Sequence, residues 1–378
     1  MTNITGIDVV PCGGAEPEVK ALAISVVMSV YNGERFVRQA VESILTQSFR
    51  DFEFIAIDDG STDASPCILE EYARRDARLR LVRQGNSGLS DSLNRGCGLA
   101  RGKYIARMDA DDVAMPRRLW TQYEFMEGHP QVAVVGGAVE CVDSEGRTFR
   151  TVRFPYRNKE IYSALLDDCV LCHPTVMIRK DAFESVGGYR SGMRDAEDYD
   201  LWLRISERHE LANLRETVLK YRIHPHQISV KKADQEGLSG LAARISATNR
   251  RSGKADPLAR MTGVVTPEVL SQIGVSEATQ TAAIARQYLR CVRNMYNARN
   301  YSVALNILDS EHLNAKNVEK WVVAEGHFFA AKLEFRRGRI GAAVRELFQA
   351  VRTRPTIAGR PIKKAICWIS DRGERLTR

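Results

Sequence analysis

The stretch from Tyr104 to Asp112, Tyr-Ile-Ala-Arg-Met-Asp-Ala-Asp-Asp, joins a short apolar run to three carboxylates. The run predicts a buried parallel strand. Asp109, Asp111 and Asp112 then sit at its carboxyl end, the edge where open α/β sheets bind ligands. Three carboxylates this close repel one another unless something positive joins them. Hard oxygen ligands suit Mg²⁺ or Mn²⁺, and such a cation would also carry a diphosphate. As a bare pattern, the acids equally suit a solvated turn capping the helix that starts near Pro116.

Two more acidic groups stand at comparable places. Asp58-Asp59-Gly60-Ser61 closes a second apolar run, Phe52 to Ile57, and Asp195-Ala196-Glu197-Asp198-Tyr199-Asp200 opens a helix carrying Leu201, Trp202 and Ile205. Acids at a helix start also follow from capping and the helix dipole alone.

The elements that must position these groups alternate. Ile24 to Val30 is a β-branched strand candidate, and Tyr31-Asn32-Gly33 turns into a helix over Glu34 to Gln47 with one apolar face. Thr62 and Asp63 cap the helix carrying Ile68, Leu69 and Tyr72. Leu79 to Val82 is a short strand, and Ser87 to Ala100 reads as a helix. Pro116 to Glu127, Asn158 to Leu166 and Asp181 to Val186 are further helices. Val132 to Val139, Thr175 to Ile178 and Val218 to Ile223 are further strands. Strand–helix alternation predicts a parallel sheet with helices on both faces. In such a sheet, the acidic turns after two parallel strands share one edge.

No Gly-x-Gly-x-x-Gly follows the first strand, and no Gly-Lys-Ser/Thr phosphate loop is present. A nucleotide would need its phosphates neutralised another way, and a metal on the Asp cluster would do so. The 378 residues are 44% hydrophobic and 27% charged, ordinary for a soluble globular protein of two domains. No run of about 18 apolar residues predicts a spanning helix. The eight cysteines hold one C-x-x-C, Cys169 and Cys172, without the second pair a zinc site needs, so buried free thiols in a reducing compartment are expected. Charge is uneven: residues 231–378 carry a net +13 and residues 1–230 a net −5. That asymmetry points the second part toward a negatively charged partner.

With these pieces placed, the chain resembles the family 2 inverting glycosyltransferases of the GT-A fold. The matching residues run in order from Ser25-Val-Val-Met-Ser-Val-Tyr-Asn-Gly33 through Glu42-Ser-Ile-Leu-Thr-Gln-Ser-Phe49 and Ile57-Asp-Asp-Gly-Ser-Thr-Asp63. Asn86-Ser-Gly-Leu89 through Asn94, then Met108-Asp-Ala-Asp-Asp112, His173-Pro-Thr175 and Val186-Gly-Gly-Tyr189 follow. Glu197-Asp-Tyr-Asp-Leu-Trp-Leu-Arg204 and Tyr221-Arg-Ile-His224 complete the series. The likeness implies an α/β GT-A fold, mostly parallel, and transfer of a sugar from a nucleotide sugar, with uridine the expected base, to a glycan or lipid-linked acceptor. It implies Mn²⁺ or Mg²⁺ as cofactor. Ser29, Tyr31, Asn32, Glu34, Asp59, Asn94, Asp109 and Asp111 would contact the donor. Asp111, Asp112 and His224 would hold the metal, although the cluster can be read in two registers. Asp198 would be the base, with Glu197 its neighbour or substitute. A helix N-terminus favours ionised Asp198, which predicts a ready but weak base. His173 is structural or on the acceptor side, Arg222 and Arg194 suit phosphate or acceptor, and Trp202 suits the core.

The domain reading is a loose leader over 1–22, a GT-A domain over 23–252, a linker over 253–275 and a helical domain over 276–378. A helix over Gln227 to Arg251 packs back on the catalytic part. Helix starts at Tyr301 and Ile340 are related, and Gly338, Ala343, Ala350 and Pro355 are tetratricopeptide-like, which suits protein docking. The tail, Arg360 to Arg375, sets Ile362, Ile366 and Ile369 beside Lys363, Lys364, Arg372 and Arg375, a pattern that suits peripheral contact with an anionic membrane. The expected location is cytoplasmic, at the inner face of the membrane, in polysaccharide assembly, with no nucleic acid among the partners. The competing reading is a catalytically silent nucleotide-sugar-binding protein that docks through its helical part.

Overall fold

The structure, a computed structural model, describes residues 22–259, 261, 263–313 and 317–359. The first half alternates β1 (Ile24–Val30), α1 (Val37–Leu45), β2 (Phe52–Asp59), α2 (Ser65–Arg75), β3 (Leu79–Gln84), α3 (Leu89–Gly98) and β4 (Tyr104–Asp109). After the acidic turn come β5 (Val113–Ala114), α4 (Arg118–Gly128), β6 (Val132–Val142), β7 (Thr148–Val152) and α5 (Asn158–Ala164). Next are β8 (Met177–Arg179), α6 (Lys180–Ser185), α7 (Glu197–Ser206) and β9 (Glu210–Arg222). The remainder is helical: α8 (Ile228–Lys231), α9 (Ala233–Arg251), α10 (Pro267–Gln272), α11 (Glu277–Asn297), α12 (Tyr301–Leu308), α13 (Lys320–Arg336) and α14 (Ile340–Thr353).

The strands form one sheet in the order β3-β2-β1-β4-β8-β6-β9-β5, with β7 on β6. The first four are parallel neighbours, as the alternation predicts, and β6 runs parallel to β9. The sheet is nonetheless mixed. β8 enters antiparallel between β4 and β6, and β5 and β7 are also antiparallel. β8 is a three-residue strand that follows a tight turn at His173–Thr175, and it meets both of its neighbours antiparallel.

Period-two alternation sends side chains to both faces. Val27, Ile55, Ile57 and Ile105 pack with Leu93 and the fully buried Trp202. Val26, Met28, Phe54 and Ala106 pack with Val37, Ile44 and Leu119 on the other face. The last strand is longer than its apolar run, because Asn213 is buried and its amide donates to Pro155 and Val170 carbonyls at 2.8 and 3.0 Å. The helix expected over Gln227 to Arg251 is two helices, α8 and α9, parted near Lys232. Cys67 is exposed, against the expectation of buried thiols, while Cys97, Cys141 and Cys291 are buried.

The helical part packs onto the catalytic part. Leu238, Leu241 and Ala242 of α9 share the core of Trp202, as do Leu258, Val265 and Leu270 from 253–275. Met295, Ala304 and Leu333 join the core on the opposite face. The anticipated helix starts at Tyr301 and Ile340 begin α12 and α14. The leader up to residue 21 and the amphipathic tail from 360 lie outside the described residues. Among the described residues no helix is long and apolar enough to cross a membrane.

Candidate active site

Register fixes the meeting of the acidic turns. Ser29 on β1 stands opposite Ile57 on β2 and Asp109 on β4, so Asp59 and the Asp cluster emerge at one sheet edge. The turn after β1 is stapled to the turn after β2. Asn32, at φ +50°, donates its N–H to Ser61 Oγ at 3.0 Å, and its Oδ1 accepts the Thr62 N–H at 2.8 Å. Glu34 donates to Asp63 Oδ2 and accepts from the Ala64 N–H, both at 2.9 Å. Asn32 and Glu34 therefore shape the rim, while Tyr31 is exposed on it. Gly60 has φ +76°, and a Cβ there would stand 2.7 Å from the Asn86 N, which explains glycine in that turn.

Asp59 is buried and fully engaged. It accepts from Gln84 Nε2 at 2.7 Å and from the Ser87 and Gly88 N–H groups, each at 2.9 Å. Burial alone would raise its carboxyl, but these donors hold it below the usual carboxylate range.

Asp109, Asp111 and Asp112 bring carboxylate oxygens within 4.8 Å of one another. Asp112 accepts the Arg222 N–H at 2.8 Å, and Arg222 Nε donates to the Asp111 carbonyl at 2.8 Å. Arg222 also stacks on Phe36, so it braces the acidic turn and is not a free phosphate ligand. Asp111 Oδ2 meets His224 Nε2 at 3.0 Å. Burial first, and repulsion by Asp111 and Asp109 next, pushes the Asp112 carboxyl well up. Asp109 is also raised, by burial, against the opposing pull of Arg107.

Arg107 is a buried neighbour of the cluster that the sequence pattern does not reveal. Its side chain is 3% exposed and forms an ion pair with Asp109. Burial opposes its charge, yet Asp109 beside it keeps it firmly cationic. Arg118, equally buried, donates to the Arg107 carbonyl at 2.6 Å and to the Val176 carbonyl. Its guanidinium is brought down to about 9, by burial first and by Arg107 next.

The third acidic group faces the same edge from α7. Asp198 Oδ1 accepts the Tyr199 N–H at 2.7 Å, and Oδ2 lies 4.0 Å from His173 Nδ1. The Asp198 side chain is 22% exposed, whereas Glu197 is buried. Burial pushes Asp198 up to about 6, against the Tyr199 N–H and Arg107, which pull down. The helix N-terminus was expected to favour the ionised form, and burial works against it here. A helix N-terminus is worth about 0.3–1 kcal/mol to a carboxylate, while withdrawing one from water costs roughly several kcal/mol. Glu197 is pushed higher still, by burial and then by Asp198.

His173 sits behind Asp198. Its Nε2 meets Tyr189 Oη at 2.8 Å, and burial drives its imidazole well below the usual range, so it is neutral. Asn94 uses both ends of its amide on the Tyr189 backbone, donating to the carbonyl at 2.8 Å and accepting the N–H at 2.9 Å. It positions the Gly187-Gly188-Tyr189 turn. Arg194 is exposed beside Asp195.

The residues fit a divalent cation. Asp112 Oδ2 and His224 Nδ1 are buried without partners, and three close carboxyls, two of them forced upward, call for positive charge.

Residues 25–187 match the model of the family described as glycosyl transferase family 2. The chain is 37% identical to EpsE of Bacillus subtilis over 210 residues, which is 53% of this chain and 72% of that one. It is 35% identical over 211 residues to WbnJ of Escherichia coli, an O-antigen biosynthesis glycosyltransferase, covering 53% of this chain and 80% of the relative. A structure of S. aureus TarS 1-349 in complex with UDP superposes with a TM-score of 0.48 at 16% identity, covering 87% of this chain and 89% of that one.

Proposed function

The chain belongs to glycosyl transferase family 2, and from that premise we propose a metal-dependent, inverting transfer of a sugar from a uridine nucleotide sugar to an acceptor hydroxyl, with Asp198 as base. The observation that carries this reading is the position of Asp198. It is a partly exposed carboxyl with a raised affinity for protons, on the same edge as the Asp cluster, with neutral His173 behind it.

On this reading, Asp198 takes the acceptor proton as the acceptor oxygen bonds to the anomeric carbon and the bond to the diphosphate breaks. One displacement from the opposite face inverts the configuration. Asp111, Asp112 and His224 would hold Mn²⁺ or Mg²⁺, which would neutralise charge on the departing diphosphate. Asp109, fixed by Arg107, and Asp59, fixed by Ser87 and Gly88, bound the nucleoside side together with Ser29 and Tyr31. Glu197, buried and protonated at neutral pH, keeps a second negative charge from the base. The acceptor is a glycan or lipid-linked saccharide in surface-polysaccharide assembly, at the cytoplasmic face of a membrane.

A second reading has one observation in its favour. Ile340, Val344 and Phe348 stand exposed at four-residue spacing on α14, as a docking helix would show them. A silent docking protein would bind nucleotide sugar without turnover. The test is product analysis: an α-linked donor yields a β-linked product, transfer stops with chelator, and Mn²⁺ restores it. A retained anomeric configuration, or transfer indifferent to chelator, contradicts the proposal.

A further inference from the structure

Beneath the sheet edge, α4 buries two polar side chains on the face that an amphipathic helix keeps apolar. Arg118 and Gln122 lie one turn apart beside Leu119 and Met126, and both are sealed from water. Arg118 Nη2 donates to the Arg107 carbonyl at 2.6 Å and to the Val176 carbonyl at 3.4 Å, and its Nε donates to Gln122 Oε1 at 3.1 Å. Gln122 Nε2 donates in turn to the Thr175 carbonyl at 2.7 Å and the Val135 carbonyl at 3.0 Å. Gln47 of α1 fixes the start of α4, with its Nε2 on the Met115 carbonyl at 2.8 Å and its Oε1 on the Leu119 N–H at 3.0 Å. These side chains take over where the sheet ladders stop. The β4–β8 register ends with Ala106 opposite Met177, and the β6–β8 register ends with Val135 opposite Met177. Arg118 bridges the first pair of strands just past that point, and Gln122 bridges the second.

Two parts of the candidate active site hang from this one helix face. Arg107 is on β4, and its side chain pairs with Asp109 at the head of the Asp cluster. Thr175 ends the turn that carries His173, and Val176 follows it. His173 Nδ1 stands 4.0 Å from Asp198 Oδ2. Resting on the reading of Asp198 as base, we infer that Arg118 and Gln122 are positioning residues that set the separation between the Asp cluster and Asp198. Burying a guanidinium is costly, and an apolar side chain in its place is often as good for stability or better. Holding two backbone segments at a fixed spacing is a task that an apolar side chain cannot do. The reaction is sensitive to that spacing. A displacement needs the anomeric carbon held between the departing diphosphate and the attacking oxygen, and a misplacement of about 1 Å can cost about a hundredfold in rate. Binding of the nucleotide alone makes no such demand on the gap.

The test uses the full chain with Mn²⁺, with UDP-glucose, UDP-galactose and UDP-N-acetylglucosamine as donors and p-nitrophenyl glycosides as acceptors. Transfer is measured in single turnover and divided by the number of UDP-binding sites, so that a misfolded fraction does not count. Gln122→Met and Arg118→Lys are each expected to slow transfer per site about 10–100-fold, with UDP affinity within about threefold of wild type. Ser25→Ala is the structural control. Ser25 Oγ donates to Glu53 Oε1 at 2.7 Å and accepts the Gly102 N–H at 2.8 Å, at the far, amino end of β1. That variant should lower the urea midpoint and keep transfer per site within about twofold. Unchanged transfer per site in both α4 variants, UDP affinity falling in step with the rate, or an equal slowing in Ser25→Ala overturns the positioning role. Failure of the base reading shows separately, as transfer by Asp198→Asn at the wild-type rate.

Discussion

His224 Nε2 stands 3.0 Å from Asp111 Oδ2, joining residues 113 positions apart at one edge of the sheet. The end of β9 thereby meets the end of β4. Phe36 packs on the imidazole, with ring centroids 5.1 Å apart, and leaves its Nδ1 buried without a partner.

Loss of either residue should therefore act through the metal. Asp111→Asn and His224→Ala are each expected to lower Mn²⁺-dependent UDP affinity about 10–100-fold, the range seen when support for a metal site is removed. Metal-free UDP affinity should change little. Titration calorimetry with and without Mn²⁺ checks this, and an equal loss in both conditions would place the two residues on the nucleotide instead.

The state of Asp198 sets the pH profile. A base must be ionised, and burial raises this carboxyl to about 6, so kcat/KM should fall about tenfold per pH unit below that value and be flat above it. Arg107 favours the ionised form. Arg107→Met should hence move the acidic limb to higher pH, and it should also release Asp109. A limb near pH 4 in wild type, or one that moves downward in the variant, would contradict the electrostatics described.

Asn94 offers a test of positioning against binding. Both ends of its amide go to the Tyr189 backbone. Asn94→Ala should cost about 2 kcal/mol in urea unfolding, given the hydrogen bonds left unmade. UDP affinity should fall by less than about threefold. A large loss of UDP affinity with unchanged stability would make Asn94 a donor ligand.

The sheet edge was legible because apolar runs end in acids. Asp59, Asp109 and Asp198 each follow or open an element whose period is plain, and Trp202 reads as core from its helix face. What escaped the sequence was set by distant contacts. Arg107 looks like any solvated cation inside a strand until Asp109 is seen beside it. The polar first half of β9, with Asn213, Arg215 and Glu216, hides a strand whose pairing with β6 supplies the missing driving force. The antiparallel entry of β8 leaves no periodic signature in three residues. The burial that raises the Asp198 carboxyl is likewise invisible in sequence, whereas the helix start is not.

The measurement that bears most directly on the account is single-turnover transfer by Asp198→Asn, with UDP affinity measured on the same preparation. Wild type in Mn²⁺ should release nucleoside diphosphate in step with glycoside product. The variant should bind UDP within about threefold of wild type and transfer about 10²–10⁴ times more slowly, the usual contribution of a general base. Transfer at the wild-type rate, with UDP binding intact, would show that Asp198 is not the base and that the chemistry lies elsewhere on the edge.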